Sequence, residues 1–184
     1  MPNFRLPLFA GVIAGLTAST ALAQMLDDFT DNPGGSWSYV SDRVMGGVSN
    51  GYAELQEDAL GPYARLVGEV STDNNGGFIQ IRRWLNGKAL KDAKAIKLTV
   101  RGTGDDYYVF LRTNQARRSW HSYRAPFSTT DDWQEQIIAF EDFQRSNWSL
   151  PQSFEAADLV SIGIVAYGKD FDADLSVQSI VFLK

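Results

Sequence analysis

Three short runs of this sequence place arginine beside aromatic residues at alternate positions. In GFIQIRR, Phe78, Gln80 and Arg82 share one side of an extended chain; in YVFLR, so do Tyr108, Phe110 and Arg112; in WHSYRA, so do Trp120, Ser122 and Arg124. If the three runs lie side by side, three guanidinium groups and several rings line one face. A guanidinium offers a fixed fork of donors and a ring offers a flat apolar platform, so such a face suits sugars, carboxylates or a peptide loop. The competing reading is that the arginine stems cover the sheet and their heads pair with acids such as Glu135. At the level of sequence both readings stand.

Two glycine-rich loops are the next candidates. SDRVMGGVSN places Asp42, Arg43, Met45, Gly46, Gly47 and Ser49 within one short stretch. A phosphate-binding loop would need spaced glycines, a Lys-Ser/Thr pair and a following helix, and this stretch has none of them. Paired glycines between extended runs fit a bulge or a turn with positive φ. Asp42 and Ser49 then bond nearby backbone amides and hold the loop, while Arg43 pairs with Asp42 or reaches across the sheet. DNNGGF follows the same logic: Asn74 and Asn75 tolerate the left-handed region, and Gly76 with Gly77 reverses the chain into the run from Phe78. Its amide and carboxylate groups could also hold sugar hydroxyls or Ca²⁺. Asp73, Asn74 and Asn75 lack the alternating acid spacing of an EF-hand loop, so no metal site is assigned.

Catalytic signals are sparse. There is no Cys, which removes thiolate nucleophiles, zinc-thiolate sites and disulfides, and His121 is the only His. No Ser-His-Asp order stands out. The acid pairs Asp27-Asp28, Asp105-Asp106, Asp131-Asp132 and Glu141-Asp142 sit at turns or strand ends, where acids are common. Glycoside hydrolysis needs two carboxylates at a set separation across a cleft, and nothing points to such a pair. The expectation is a protein that is not an enzyme and needs no cofactor.

The elements that must position these residues read as strands. KAIKLTVRG alternates Ile96, Leu98 and Val100 against Lys97, Thr99 and Arg101, and YYVFLRT alternates Tyr107, Val109 and Leu111 against Tyr108, Phe110 and Arg112. YARLVGEVS, GFIQIRRW, WQEQIIAF, LVSIGIVAY and LSVQSIVFL continue the series, separated by NPGG, SNG, DNNGG, LNGK and YGKD. Short helical turns are predicted at FEDF and SFEAAD. Trp133, Phe140, Ile162, Ile164, Val177, Ile180 and Phe182 are assigned to the core. The spacing favours one all-β domain, a two-sheet sandwich with jelly-roll wiring.

The first 23 residues read as a secretory signal peptide: Arg5, an apolar stretch over 6–16, and small residues ending Ala-Leu-Ala before Gln24. That apolar stretch is too short for a comfortable membrane span, and none follows it. The expected mature domain is 24–184, exported to the periplasm or the exterior. The formal net charge of −5 argues against nucleic acid or an anionic membrane as partner.

WSYVSDRVMGGVSNGYAEL, GEVSTDNNGGFIQIRR, YVFLRTN and WQEQIIAFEDF, in that order, resemble the family of complex I intermediate-associated protein 30 (CIA30). The Asp-x-Val-Met-Gly-Gly-x-Ser and Asn-Asn-Gly-Gly-Phe elements carry most of the resemblance, which runs over the whole chain after the leader. It implies a galactose-binding-like jelly-roll β-sandwich and a role as an assembly or scaffold factor, since mitochondrial members help to build respiratory complex I. The leading expectation is therefore a non-enzymatic exported module that binds a protein partner. The alternative is a carbohydrate-binding module of the same fold, taking a glycan. In either case the residues assigned to the contact are Arg43, Asn74, Asn75, Arg82, Tyr108, Arg112, Trp120 and Arg124.

Overall fold

The computed structural model describes residues 23–31 and 35–184. The leader assigned to 1–23 therefore lies, except for Ala23, outside the described residues. Twelve strands follow one another: β1 Ala23–Asp27, β2 Trp37–Ser41, β3 Asn50–Asp58, β4 Gly61–Val70, β5 Phe78–Trp84, β6 Ala95–Gly102, β7 Asp106–Thr113, β8 Tyr123–Ser128, β9 Gln134–Ala139, β10 Gln144–Arg145, β11 Leu159–Tyr167 and β12 Phe171–Leu183. The helical turns expected at FEDF and SFEAAD are single 3-10 turns, Phe140–Asp142 and Ala156–Asp158.

Two antiparallel sheets form. One has the order β3-β4-β12-β6-β9 with β1 added on β12; the other has the order β10-β8-β7-β11-β5-β2. The long β12 takes β4 along its first half and β1 along its second, both on the edge opposite β6. It stays in one sheet yet changes the side it buries. Ala173, Leu175 and Val177 point inward, then the register shifts between Val177 and Ser179, and Ile180 and Phe182 point inward instead. A bulge adds one residue and flips the alternation, which is how Val177 and Ile180 both reach the core.

The inner faces meet in one apolar cluster. Ile96, Leu98 and Val100 of β6 and Tyr107, Val109 and Leu111 of β7 are each fully buried there. Each such aliphatic side chain contributes about 1.5–3 kcal/mol by leaving water, which is what holds a sandwich without disulfides together. Trp133 departs from the core assignment. It lies half-buried on the outer face of the first sheet, edge-on to Tyr63, with its indole N–H donating to Asp58 at 3.0 Å. A donor on a large ring is best kept where a carboxylate can reach it.

On the second sheet the outward positions are those that could meet a ligand. Tyr108, Phe110 and Arg112 of β7 and Arg124 of β8 alternate with the buried Val109, Leu111, Tyr123 and Ala125. On β11, Ser161, Gly163, Val165 and Tyr167 alternate with the inward Ile162, Ile164 and Ala166.

Candidate functional site

The site is framed by two loops that one buried carboxylate joins. Asp42 is fully buried and accepts hydrogen bonds from Ser49 N at 3.0 Å, Ser49 Oγ at 2.5 Å, Gly77 N at 2.6 Å and Phe78 N at 3.2 Å. The first two partners belong to its own loop and the last two to DNNGGF. The expectation that Asp42 and Ser49 brace their own loop is thus only half of what they do, because the two glycine motifs form one latched unit. The glycines follow from this. Gly46 has φ +96° and Gly77 φ +114°, in the region that disfavours a Cβ. Gly47 and Gly76 are needed for space instead, since a Cβ at either would strike the pinned Asp42 carboxylate. Asn74 and Asn75 occupy the left-handed region at φ 57° and 59°.

Beside this unit, across the outward face of the second sheet, runs a groove of about 440 Å³. The register builds its floor. Arg82 of β5 pairs with Gly163 of β11, Gly163 with Phe110 of β7, and Phe110 with Arg124 of β8. One row across four strands therefore sets an arginine at each end of a glycine-phenylalanine floor, roughly 14 Å apart at three strand spacings. In the next row Ser161 pairs with Arg112. The Gln80 carboxamide lies over Gly163, where a Cβ would collide with its Oε1. Val44, Met45, Asn75 and Gly76 form one wall, and Ser119 and Trp120 stand on the opposite side.

The arginines are held differently. Arg124 donates to Ser122 Oγ at 3.0 Å and to Tyr167 Oη at 2.7 Å, and its guanidinium lies over the rings of Phe110 and Tyr167, 4.6 and 4.9 Å from their centroids. Arg112 donates to the carbonyls of His121, Ala116 and Arg118 at 3.1–3.3 Å. Burial, and then the like charge of Arg82, hold the Arg112 guanidinium below its ordinary pKa. Arg82 has no hydrogen-bond partner among the described residues; it extends over the exposed ring of Trp84 at 5.3 Å. Gln80 is 9% exposed and likewise has no hydrogen-bond partner among the described residues. Among the described residues no Asp, Glu or His lines the groove.

The structure brings together Arg82, Arg112, Arg124, Trp120 and Asn75 from the sequence-assigned contact residues. Three others lie apart. Arg43 is exposed and outside the groove, with no ion pair among the described residues, because the Asp42 carboxylate is buried and already saturated by amides and a hydroxyl. Asn74 is exposed beside Asn75 and outside the groove. Tyr108 shares the face but packs edge-on behind Phe110 and Tyr167. Trp120 reaches the groove from a loop, not from a strand, since β8 begins only at Tyr123. Glu135 is no partner for these arginines: it lies on β9 in the other sheet and pairs with Lys97 at 2.6 Å. Met45, assigned only to loop structure, is 56% exposed and forms groove wall.

Sequence reasoning does not find Val44, Ser161, Gly163 or Tyr167. The only signal for the last three is alternation inside LVSIGIVAY, which places small or polar residues opposite Ile162 and Ile164. It does not say that β11 inserts between β5 and β7. Among the described residues no group of three His, Asp or Glu is placed to hold a metal ion, and no helix is long and apolar enough to cross a membrane.

A family model described as complex I intermediate-associated protein 30 (CIA30) matches residues 28–177. No curated protein matches the sequence. Among solved structures, the chain is similar to a family 11 carbohydrate-binding module from Clostridium thermocellum in complex with a beta-1,3-1,4-mixed-linked tetrasaccharide, at 16% identity and TM-score 0.72, over 89% of this chain and 96% of that one. A family 11 module of a cellulosomal cellulase of Clostridium thermocellum gives 16% identity and TM-score 0.71, over 89% and 95%. A family 30 carbohydrate-binding module of another cellulosomal cellulase of that organism gives 15% identity and TM-score 0.51, over 74% and 90%. The fold is the galactose-binding-like jelly-roll sandwich.

Proposed function

We propose, from the premise that the chain belongs to the complex I intermediate-associated protein 30 (CIA30) family, that it is an exported, non-catalytic binding module whose groove takes an extended glycan. The observation that carries this reading is Gln80. A carboxamide 9% exposed, lining the groove and without a hydrogen-bond partner among the described residues, presents both donor and acceptor to whatever enters. Among the described residues the buried polar side-chain atoms without a partner are Tyr39 Oη and Thr113 Oγ1, so the Gln80 carboxamide is open to the water of the groove, and a ligand rich in hydroxyls replaces that water with direct bonds. Phe110, Tyr167 and Trp120 add apolar ring surface around it. A volume of about 440 Å³ is that of a ligand site. Among the described residues the groove carries no carboxylate pair with which to cleave a glycosidic bond. The likeness in fold to carbohydrate-binding modules supports the same reading.

Export rests on the signal-like pattern of the first 23 residues. Protein recovered from its native cell envelope is expected to begin at Gln24, and an unprocessed N-terminus would contradict export by this route.

The binding reading is tested on a glycan array with the unaltered protein and Gln80→Ala. At least one glycan is expected to bind, about tenfold more weakly to the variant and without release of products. A second reading, a protein partner, is supported by the family's description and by Val44, Met45 and Val48, exposed by 75%, 56% and 45% along the loop at the rim. A silent array together with one protein crosslinked through Met45 would move the function to that reading.

A further inference from the structure

We infer that the glycan taken by this groove is acidic, its carboxylates received by Arg82, Arg112 and Arg124; this rests on the glycan reading above. The chain as a whole is acidic, with net charge −5, yet the groove gathers three arginines and, among the described residues, no carboxylate. Among the described residues six cations elsewhere pair with acids, Arg65 with Asp174, Arg83 with Asp27, Lys97 with Glu135, Arg101 with Asp58, Lys169 with Asp105 and Lys184 with Asp92, while others such as the exposed Arg43 do not; what sets the groove apart is three arginines lining one site together. Among the described residues no ion pair reaches any arginine of the groove.

The contrast is sharpest between neighbours. Arg83 faces the other way along β5 and binds Asp27 and the Leu26 carbonyl, while Arg82 has neither acid nor carbonyl. Two of the three groove charges are held in place. Backbone carbonyls hold Arg112, and Ser122, Tyr167 and two rings hold Arg124. Arg82 and Arg112 act on each other as like charges, which is unfavourable for the empty protein, and an anion between them reverses the sign. Arg82, with its whole fork unused, offers the bidentate grip that a planar carboxylate takes best. A neutral sugar needs acceptors as well as donors along its hydroxyls, and carboxylate acceptors are missing here. A uronate supplies the acceptors itself.

The test compares three uronate polymers, a polygalacturonate, an alginate and a glucuronan, each with its carboxyl-reduced neutral counterpart on the same backbone. Binding of the unaltered protein is measured by affinity electrophoresis and titration calorimetry. At least one acidic polymer is expected to bind, its reduced form about tenfold more weakly or worse. The difference is expected to shrink as salt rises from about 0.1 to about 1 M. Arg82→Gln is expected to lose about tenfold, and Arg82→Lys to recover part of it. A reduced polymer that binds as tightly as its acidic parent would overturn the acidic specificity and leave the glycan reading standing. If no polymer binds in either form and the glycan array is silent, the glycan reading itself falls. Binding of polyglutamate with the same dependence on Arg82 would then place an acidic polypeptide in the groove and overturn both. The polymer comparison uses unaltered protein, so its outcome does not depend on whether any variant folds.

Discussion

Asp42 and Arg43 are adjacent in sequence and opposite in consequence. Asp42 is fully buried, and its carboxylate is the acceptor for three backbone amides and one hydroxyl drawn from two loops. Removing it strands those amides away from water, at about 1–3 kcal/mol each. Asp42→Ala is therefore expected to lower the unfolding free energy by at least about 3 kcal/mol in urea denaturation. Arg43→Ala, at an exposed position with no ion pair among the described residues, is expected to change it by no more than about 0.5 kcal/mol. Equal effects would refute the latch. At this scale the sequence was readable in part. The glycines, the asparagines and the acid announce a constrained loop, because few residue types tolerate those backbone angles. That the acid of one loop serves the amides of another is a long-range fact, Asp42 and Gly77 being 35 positions apart, and no local pattern encodes it.

At the scale of elements, alternation did most of the positioning. The runs predicted for β6, β7 and β5 are strands, and their inward and outward sides are as the period of two requires. Arg82 and Arg83 show what one step along a strand means. Arg83 ties β5 to β1 through Asp27, which also accepts from Trp37 Nε1 at 2.9 Å and Phe29 N at 2.8 Å. Asp27→Ala is expected to cost about 2 kcal/mol in the same denaturation assay, whereas Arg82→Gln should leave stability within about 0.5 kcal/mol and change only binding. A strong loss of stability in Arg82→Gln would mean that its charge has a structural partner after all. The strands the sequence did not announce are edge or short ones. β3, with polar or exposed residues on both faces, offers no alternation to read, and β10 is only two residues long. The groove floor stayed hidden for a related reason. β11 is buried on both sides over most of its length, so Ser161 and Gly163 read as interruptions of a hydrophobic run and not as a surface.

The whole molecule depends on one core between two sheets, without disulfides to brace the unfolded chain. Two phenols sit in that core. Burial raises the pKa of Tyr107, whose Oη lies 2.9 Å from Thr103 Oγ1, and of Tyr123, which donates to the Pro151 carbonyl at 2.9 Å, above the ordinary 10.0. The unfolded chain ionises these phenols at 10.0, while the folded chain resists doing so. Their contribution to stability is therefore full below pH 10.0 and is lost as pH rises from there through the folded values. The denaturation midpoint is expected to fall above that pH, and to fall less in Tyr107→Phe. A midpoint flat through that range would contradict the burial of these hydroxyls. A rigid sandwich of this kind leaves the groove preformed, with its arginines and its carboxamide in place before any ligand arrives.

The most direct measurement is an amide and side-chain NMR titration of the purified 24–184 domain with the glycan selected on the array. The shifts are expected to cluster on Gln80, Arg82, Phe110, Trp120 and Gly163, along the row that crosses β5, β11, β7 and β8. Shifts centred on the outer face of the opposite sheet around Arg65 and Arg101, or a bound glycan that leaves Gln80 and Arg82 unmoved, would contradict a glycan-binding groove.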